Sequence, residues 1–192
     1  MSGSRIPRPI TPAFLESAAL HYLERFAASS ASLRRVLLGK VDRAVVHWGG
    51  ERADHAAAVE QVIARLAGLG YVDDAAYARM KGRSLSRQGK GRRAIRAALA
   101  AKGVDGDTAD QALAALAEED AAEGNGADPD LAAAIRLARR RRLGPFRPAP
   151  ARQAHRNKDM AALARAGFDF DTARRVIEAD GPESLEDLLS QG

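Results

Sequence analysis

The chain has 192 residues, with 30 Lys+Arg against 25 Asp+Glu, a formal charge of +5 and a pI near 10.0. Hydrophobic residues make up 46% of it, but 42 of them are alanine, aromatics are 5% and cysteine is absent. That excludes disulfides, thiol nucleophiles and Cys-ligated zinc, and it disfavours sandwiches and barrels, because Ala, Leu, Arg and Glu lose little rotamer freedom in a helix.

In chain order, residues 1–10 read as a disordered tail. The stretch MSGSRIPRPITP carries no hydrophobic signal core, no apolar run approaches a membrane span, and a cytoplasmic location is expected. Thr11-Pro12 supplies an N-cap and a proline at the first helical position, followed by Leu15, Ala19, Tyr22, Leu23 and Phe26 at spacings of three and four. Ser32 is placed to cap a second helix carrying Leu33, Val36, Leu37 and Val41. After Trp48-Gly49-Gly50, a third carries Val59, Val62, Ile63, Leu66 and Leu69 and ends at Gly70. Asp73 or Asp74 opens the next helix through Tyr77 and Met80, and the Gln88-Gly89-Lys90-Gly91 turn leads to one with Ile95 and Leu99 that stops at Gly103. Asp107-Thr108 is the expected cap of a helix with Ala109, Ala112, Leu113 and Leu116. Asp128-Pro129 opens another with Leu131, Ala134, Ile135 and Ala138. A Pro-rich loop from Gly144 to Pro150 precedes helices holding Met160 and Leu163, then Ala173, Val176 and Ile177, and a short tail with Leu185, Leu188 and Leu189.

The chain repeats itself. LAAKGVDGDTADQAL, from Leu99 to Leu113, returns 64 residues later as LARAGFDFDTARRVI, from Leu163 to Ile177, with seven of fifteen positions identical. Gly103 and Gly167 fall where a left-handed residue closes a helix, and Asp107-Thr108 and Asp171-Thr172 fall where the next helix needs acceptors. Tyr77-Ala78-Arg79 corresponds roughly to Leu137-Ala138-Arg139, and Tyr22-Leu23-Glu24-Arg25 marks a diverged earlier copy. The expectation is an all-α, elongated, curved array of three tandem three-helix repeats, since no unit has enough large apolar residues to stand alone. The units are 11–70, 71–118 and 128–180, with an acidic linker at 119–127 and a C-terminal tail at 181–192.

Charge falls in blocks. Arg79, Lys81, Arg83, Arg87, Lys90, Arg92, Arg93, Arg96 and Lys102 follow one another with no acid between them. Nine acids and no base then run from Val104 to Asp130, and ten bases against the single Asp159 from Arg136 to Arg165. Like charges at helical neighbours repel, so a stripe such as Arg79, Arg83 and Arg87 calls for an anionic partner, phosphate or acidic protein. A second patch is expected at Arg139, Arg140, Arg141 and Arg142.

Catalytic and metal chemistry find no footing in the sequence. Gly89-Lys90-Gly91 lacks the earlier glycine and following Ser/Thr of a phosphate loop, and reads either as a flexible basic turn near phosphates or as a plain interhelical turn. His21, His47, His55 and His155 have no ligand spacing, and Asp105 with Asp107 and Asp169 with Asp171 recur at helix starts as caps do. Trp48 is read first as a packing residue, with base stacking or interface anchoring as the alternative. The acids from Glu118 to Asp130 read as a solvated linker, with shielding of the basic faces as the alternative. Few aromatics lie among the arginines, so any DNA contact should be to the backbone, salt-sensitive and nearly sequence-independent.

Leu69-Gly70-Tyr71-Val72-Asp73-Asp74, Tyr77-Ala78-Arg79, Gly89-Lys90-Gly91, Ile95-Arg96, Leu99 and Lys102-Gly103, with Ala164-Arg165-Ala166-Gly167-Phe168 later, resemble the RecX regulatory proteins from about Thr11 to about Ala179. The resemblance implies a non-enzymatic, cofactor-free modulator of the RecA recombinase. Such a protein binds RecA filaments on single-stranded DNA, limits their ATP hydrolysis and strand exchange, and also contacts DNA directly; single-stranded DNA, with double-stranded DNA as a further candidate, and a monomeric state are expected. A stand-alone, sequence-independent nucleic-acid-binding helical module and a purely protein-binding solenoid are the rival readings.

Overall fold

The computed structural model describes residues 6–122 and 128–190. Among them there is no strand; ten α-helices and one short 3-10 turn carry the chain. The described residues fall into two compact units. One runs to Tyr77 and takes in Lys102–Val104; the other comprises Ala78–Ala101 and everything from Asp105 on.

The first unit is built on α1 (Pro12–Leu23), α2 (Ser30–Trp48) and α3 (Arg52–Gly68). Leu33, Leu37 and Val41 stand on one face of α2 at intervals of four, and meet Leu15 and Ala19 of α1 and Val59, Val62, Ile63 and Leu66 of α3 in one core. Thr11 caps α1 as expected, its Oγ accepting the Phe14 N–H at 3.1 Å. The α2 cap is Ser29 and not Ser32: the Ser29 hydroxyl accepts the Ser32 N–H at 3.2 Å and also donates to the Lys102 carbonyl. Phe26 lies beyond α1 and is half exposed. Trp48 is not a packed residue; it is 56% exposed, its ring edge-on to His47 and its indole N–H donated to the Pro7 carbonyl at 2.9 Å. That bond and the packing of Ile10 on the core tie down part of the segment read as a disordered tail; residues 1–5 lie outside the described residues.

The second unit holds α4 (Asp74–Arg87) from Ala78 onward, α5 (Arg92–Ala100), α6 (Gly106–Ala122), α7 (Pro129–Arg141), α8 (Ala149–Ala166), α9 (Phe170–Ile177) and α10 (Pro182–Ser190). The repeat seen in the sequence reappears as geometry, two residues earlier than expected. Asp105, not Asp107, caps α6 by accepting the Thr108 N–H at 2.8 Å, and Asp169, not Asp171, caps α9 by accepting the Thr172 N–H at 2.7 Å. The Asp105 carboxyl is held below its ordinary range by the Thr108 hydroxyl and then its N–H, and the Asp169 carboxyl by the Thr172 N–H and then its hydroxyl.

Helix α6 continues through Ala122, so the segment read as a linker is helical over its first four residues, and 123–127 lie outside the described residues. The Pro-rich loop is shorter than expected, with a 3-10 turn at Gly144–Phe146 and α8 starting at Ala149. In the tail, Leu185 of α10 is fully buried in the core formed by Leu131, Ile135, Leu163, Phe168 and Val176; the side chains of Leu188 and Leu189 and residues 191–192 lie outside the described residues.

Within this unit the helices after α6 lock onto those before it through glycines. The Gly91 N–H donates to the Ala166 carbonyl at 2.9 Å, and a methyl built on Gly91 would sit 2.7 Å from the Gly167 carbonyl oxygen. One built on Gly167 would lie 2.4 Å from the Ala94 Cβ.

Candidate functional site

Arg79, Arg83 and Arg87 of α4 are all exposed, as their spacing of four requires, and Lys81 is half buried. Arg83 is already engaged: its Nη2 reaches both carboxylate oxygens of Glu119 on α6, at 2.7 and 2.6 Å. Arg96 on α5 forms a two-pronged pair with Asp110, Nε and Nη2 lying 2.7 and 2.8 Å from the two oxygens, a bond that raises the guanidinium pKa further. The basic and acidic blocks of the sequence therefore partly cancel in space, across 36 and 14 residues of chain.

The turn between α4 and α5 does not offer its backbone to phosphate. The Gly89 N–H donates to the Ser86 carbonyl, Lys90 to Leu85 and Gly91 to Ala166. With Gly89 and Gly91 both buried, no amide of this turn is left to cradle an anion. The Gln88 and Lys90 side chains face water. Arg92 is exposed, while its N–H donates to Asp130 Oδ1 at 3.1 Å; burial pushes the Asp130 carboxyl up.

Helix α7 brings the second expected patch to this turn. Arg140 Nη2 donates to the Gln88 carbonyl at 2.9 Å, so the arginine run at the end of α7 abuts the segment between Arg87 and Lys90. That bond sets the end of α7 against the turn between α4 and α5. Arg139 pairs with Glu186 at 2.7 Å and covers the Phe146 ring at 5.5 Å. Arg141 and Arg142 are exposed. Among the described residues, no acid stands at ion-pair distance from the side chain of Arg79, Lys81, Arg87, Lys90, Arg92, Arg93, Arg141 or Arg142. Lys102 belongs to the first unit, where its carbonyl accepts from Ser29.

Other arginines of the basic run serve the fold, which block counting did not foresee. Arg147 pairs through Nε and Nη2 with the buried Asp159, which also accepts the Gly144 N–H at 2.9 Å. Arg152 donates to three carbonyls, those of Arg147, Pro145 and Asp180. Arg156 pairs with Glu178. What remains is a set of uncompensated cations, exposed apart from the half-buried Lys81.

Residues 73–113 match the family model of the RecX second three-helix domain. A regulatory protein RecX of Myxococcus xanthus (strain DK1622) is 43% identical over 183 residues, covering 93% of this chain and 91% of that protein. The chain belongs to the RecX family of regulatory proteins. RecX of Agrobacterium fabrum is 32% identical over 174 residues, spanning 91% of this chain and 86% of its own length. The crystal structure of RecX from Lactobacillus salivarius superposes with a TM-score of 0.61 at 21% identity over 87% of this chain and 94% of that one. A second RecX crystal structure gives 0.62 at 22% identity, over 88% and 72%. At that identity these two speak to the helical fold. No helix among the described residues is long and apolar enough to cross a membrane.

Proposed function

We propose that this RecX-family chain binds RecA filaments on single-stranded DNA and restrains their ATP hydrolysis and strand exchange, acting as a cytoplasmic monomer of three tandem three-helix repeats with no catalytic centre of its own. The reading rests above all on one observation: Arg79, Arg87, Lys90, Arg92, Arg93, Arg141 and Arg142 stand exposed with no acid at ion-pair distance among the described residues, and the Arg140–Gln88 bond sets the end of α7 against the α4–α5 turn. In the filament, Arg79, Lys81, Arg87, Lys90, Arg92, Arg93, Arg141 and Arg142 face phosphates and acidic protein groups. Arg83 and Arg96 can exchange Glu119 and Asp110 for phosphate oxygens at small cost, because half-exposed ion pairs are screened by water and add little to stability. Arg140 holds the end of α7 to the α4–α5 turn, and Arg139 is held by Glu186 of α10.

The rival reading, a nucleic-acid-binding module with no RecA partner, draws on the same cations. Co-sedimentation with RecA filaments and with a bare dT oligonucleotide, each over a salt series, separates the two. If about six phosphates are met, log affinity for the bare strand falls with log salt at a slope of about −4. Filament binding should persist at salt concentrations that release the bare strand. Filament and bare strand released together would favour the rival.

A further inference from the structure

In the second unit a pocket of about 400 Å³ opens between α5 and the α8–α9 turn. Its lining includes Met160, Ala164, Phe168 and Ala173, with Arg93 and Phe170 also at its wall. Phe168 is almost fully buried, whereas Phe170 is 64% exposed and is the one exposed aromatic among the described residues of this unit. The Arg174 guanidinium stands 5.7 Å from the Phe170 ring centroid and holds Asp171 by a single contact at 3.3 Å. Arg93 is exposed, and its charge helps to lower the Asp169 carboxyl pKa without an ion pair between them.

The chemistry of the pocket selects its occupant. Arg93 is the only lining side chain with a strong hydrogen-bonding group. A nucleobase entering would leave its ring-edge donors and acceptors facing alanine, methionine and phenylalanine, which costs free energy for each group left unpaired. An aliphatic or aromatic side chain loses nothing there, and methionine adapts to its shape. A partly filled apolar pocket with arginine at its rim is the environment in which protein interfaces concentrate their binding energy. Arg93 and Arg174 add a preference for a carboxylate beside that side chain.

We propose that this pocket receives a large apolar side chain flanked by a carboxylate, presented by the protein surface of the RecA filament, and that it is a protein anchor sharing only Arg93 with the cations named above. The inference rests on the functional reading above.

The test compares the wild-type chain with Phe170→Ala and Ala164→Glu, the first emptying the rim and the second placing a like charge at the mouth. Fluorescence anisotropy is read against RecA filaments and, separately, against a bare dT oligonucleotide, with thermal melting as the check on folding. Both side chains are exposed, so melting should not move. Each variant should bind filaments about tenfold more weakly or worse, in the range of an interface hot spot, with bare-strand affinity within about twofold of wild type. Equal losses on filament and oligonucleotide would mean that a nucleotide occupies the pocket, and would overturn the inference. Unchanged filament binding by both variants would overturn it while leaving the functional reading in place. Failure of the wild-type chain to bind filaments at all would remove that reading and the inference with it.

Discussion

At Arg142 the chain places an arginine where three other helices place glycine. Helices α3, α4 and α8 end with Gly70, Gly89 and Gly167 in the left-handed region, at φ 77°, 79° and 96°, and each closes with the same pair of backbone hydrogen bonds. Helix α7 closes identically, the Arg142 N–H donating to the Arg139 carbonyl and the Leu143 N–H to Ala138, yet Arg142 sits at φ 54°. It is the only described non-glycine residue with positive φ. A side chain there costs about 1–2 kcal/mol, and strain of this kind tends to be kept where the residue has a task. Arg142→Gly should raise stability by about 1 kcal/mol in urea denaturation and at the same time weaken binding to a dT oligonucleotide. Lower stability in the glycine variant would contradict the strain argument.

Asp159 is the other residue whose setting makes a prediction. It is 2% exposed, and burial alone would push its carboxyl up. The Arg147 guanidinium and the Gly144 N–H outweigh that and hold it below its ordinary value. The folded carboxyl is thus more acidic than the unfolded one. Its contribution to stability is full above the unfolded value of about 4 and is lost as pH falls through the lower folded value. Asp159→Asn should cost about 2–3 kcal/mol at pH 7. The cost should shrink in melting experiments taken progressively below about pH 4. A cost independent of pH would mean that the carboxylate charge is not what holds the 3-10 turn to α8. Some acid sensitivity should survive in the variant, because the capping carboxyls of Asp105 and Asp169 are depressed in the same direction.

Among elements, the helices were legible because their determinants are local: Thr11-Pro12 and Asp128-Pro129 cap α1 and α7 as their sequences announce. The errors were displacements of a few residues where acceptors crowd together. Ser29 competes with Ser32, and Asp105 with Asp107, and tertiary packing decides between them. The helical part of the candidate surface was equally readable from the spacing of Arg79, Arg83 and Arg87. Its neutralisation by Glu119 and Asp110 was not, because those pairings depend on how α6 lies against α4 and α5. Nor could the sequence show that the glycines around Lys90 are there for close packing and not for phosphate. Gly167→Ala tests that packing. The new methyl would meet Ala94 at 2.4 Å in a backbone conformation unfavourable to alanine, so a loss of about 3 kcal/mol is expected. Gly106→Ala, whose nearest neighbour is the Arg96 side chain at 3.4 Å, should change stability by no more than about 0.5 kcal/mol. Equal effects at the two positions would argue against the joint as drawn.

For the molecule as a whole, the formal charge of +5 conceals two kinds of arginine. One kind is structural, as with Arg147 on Asp159 and Arg152 on its three carbonyls. The other kind stands exposed without an acid on α4, on α5 and at the end of α7, which Arg140 sets against the α4–α5 turn. Family membership supplies the regulatory role; in the proposed function these cations are what meets the polyanionic filament. The most direct measurement is the rate of RecA-catalysed ATP hydrolysis on single-stranded DNA as this chain is titrated in, alongside a variant with Arg87, Lys90, Arg141 and Arg142 all changed to alanine. The account predicts that the wild-type chain slows hydrolysis at substoichiometric to stoichiometric levels, and that the variant needs about tenfold more protein or worse for the same effect. Hydrolysis unchanged by excess wild-type chain, or slowed equally well by the variant, would contradict it.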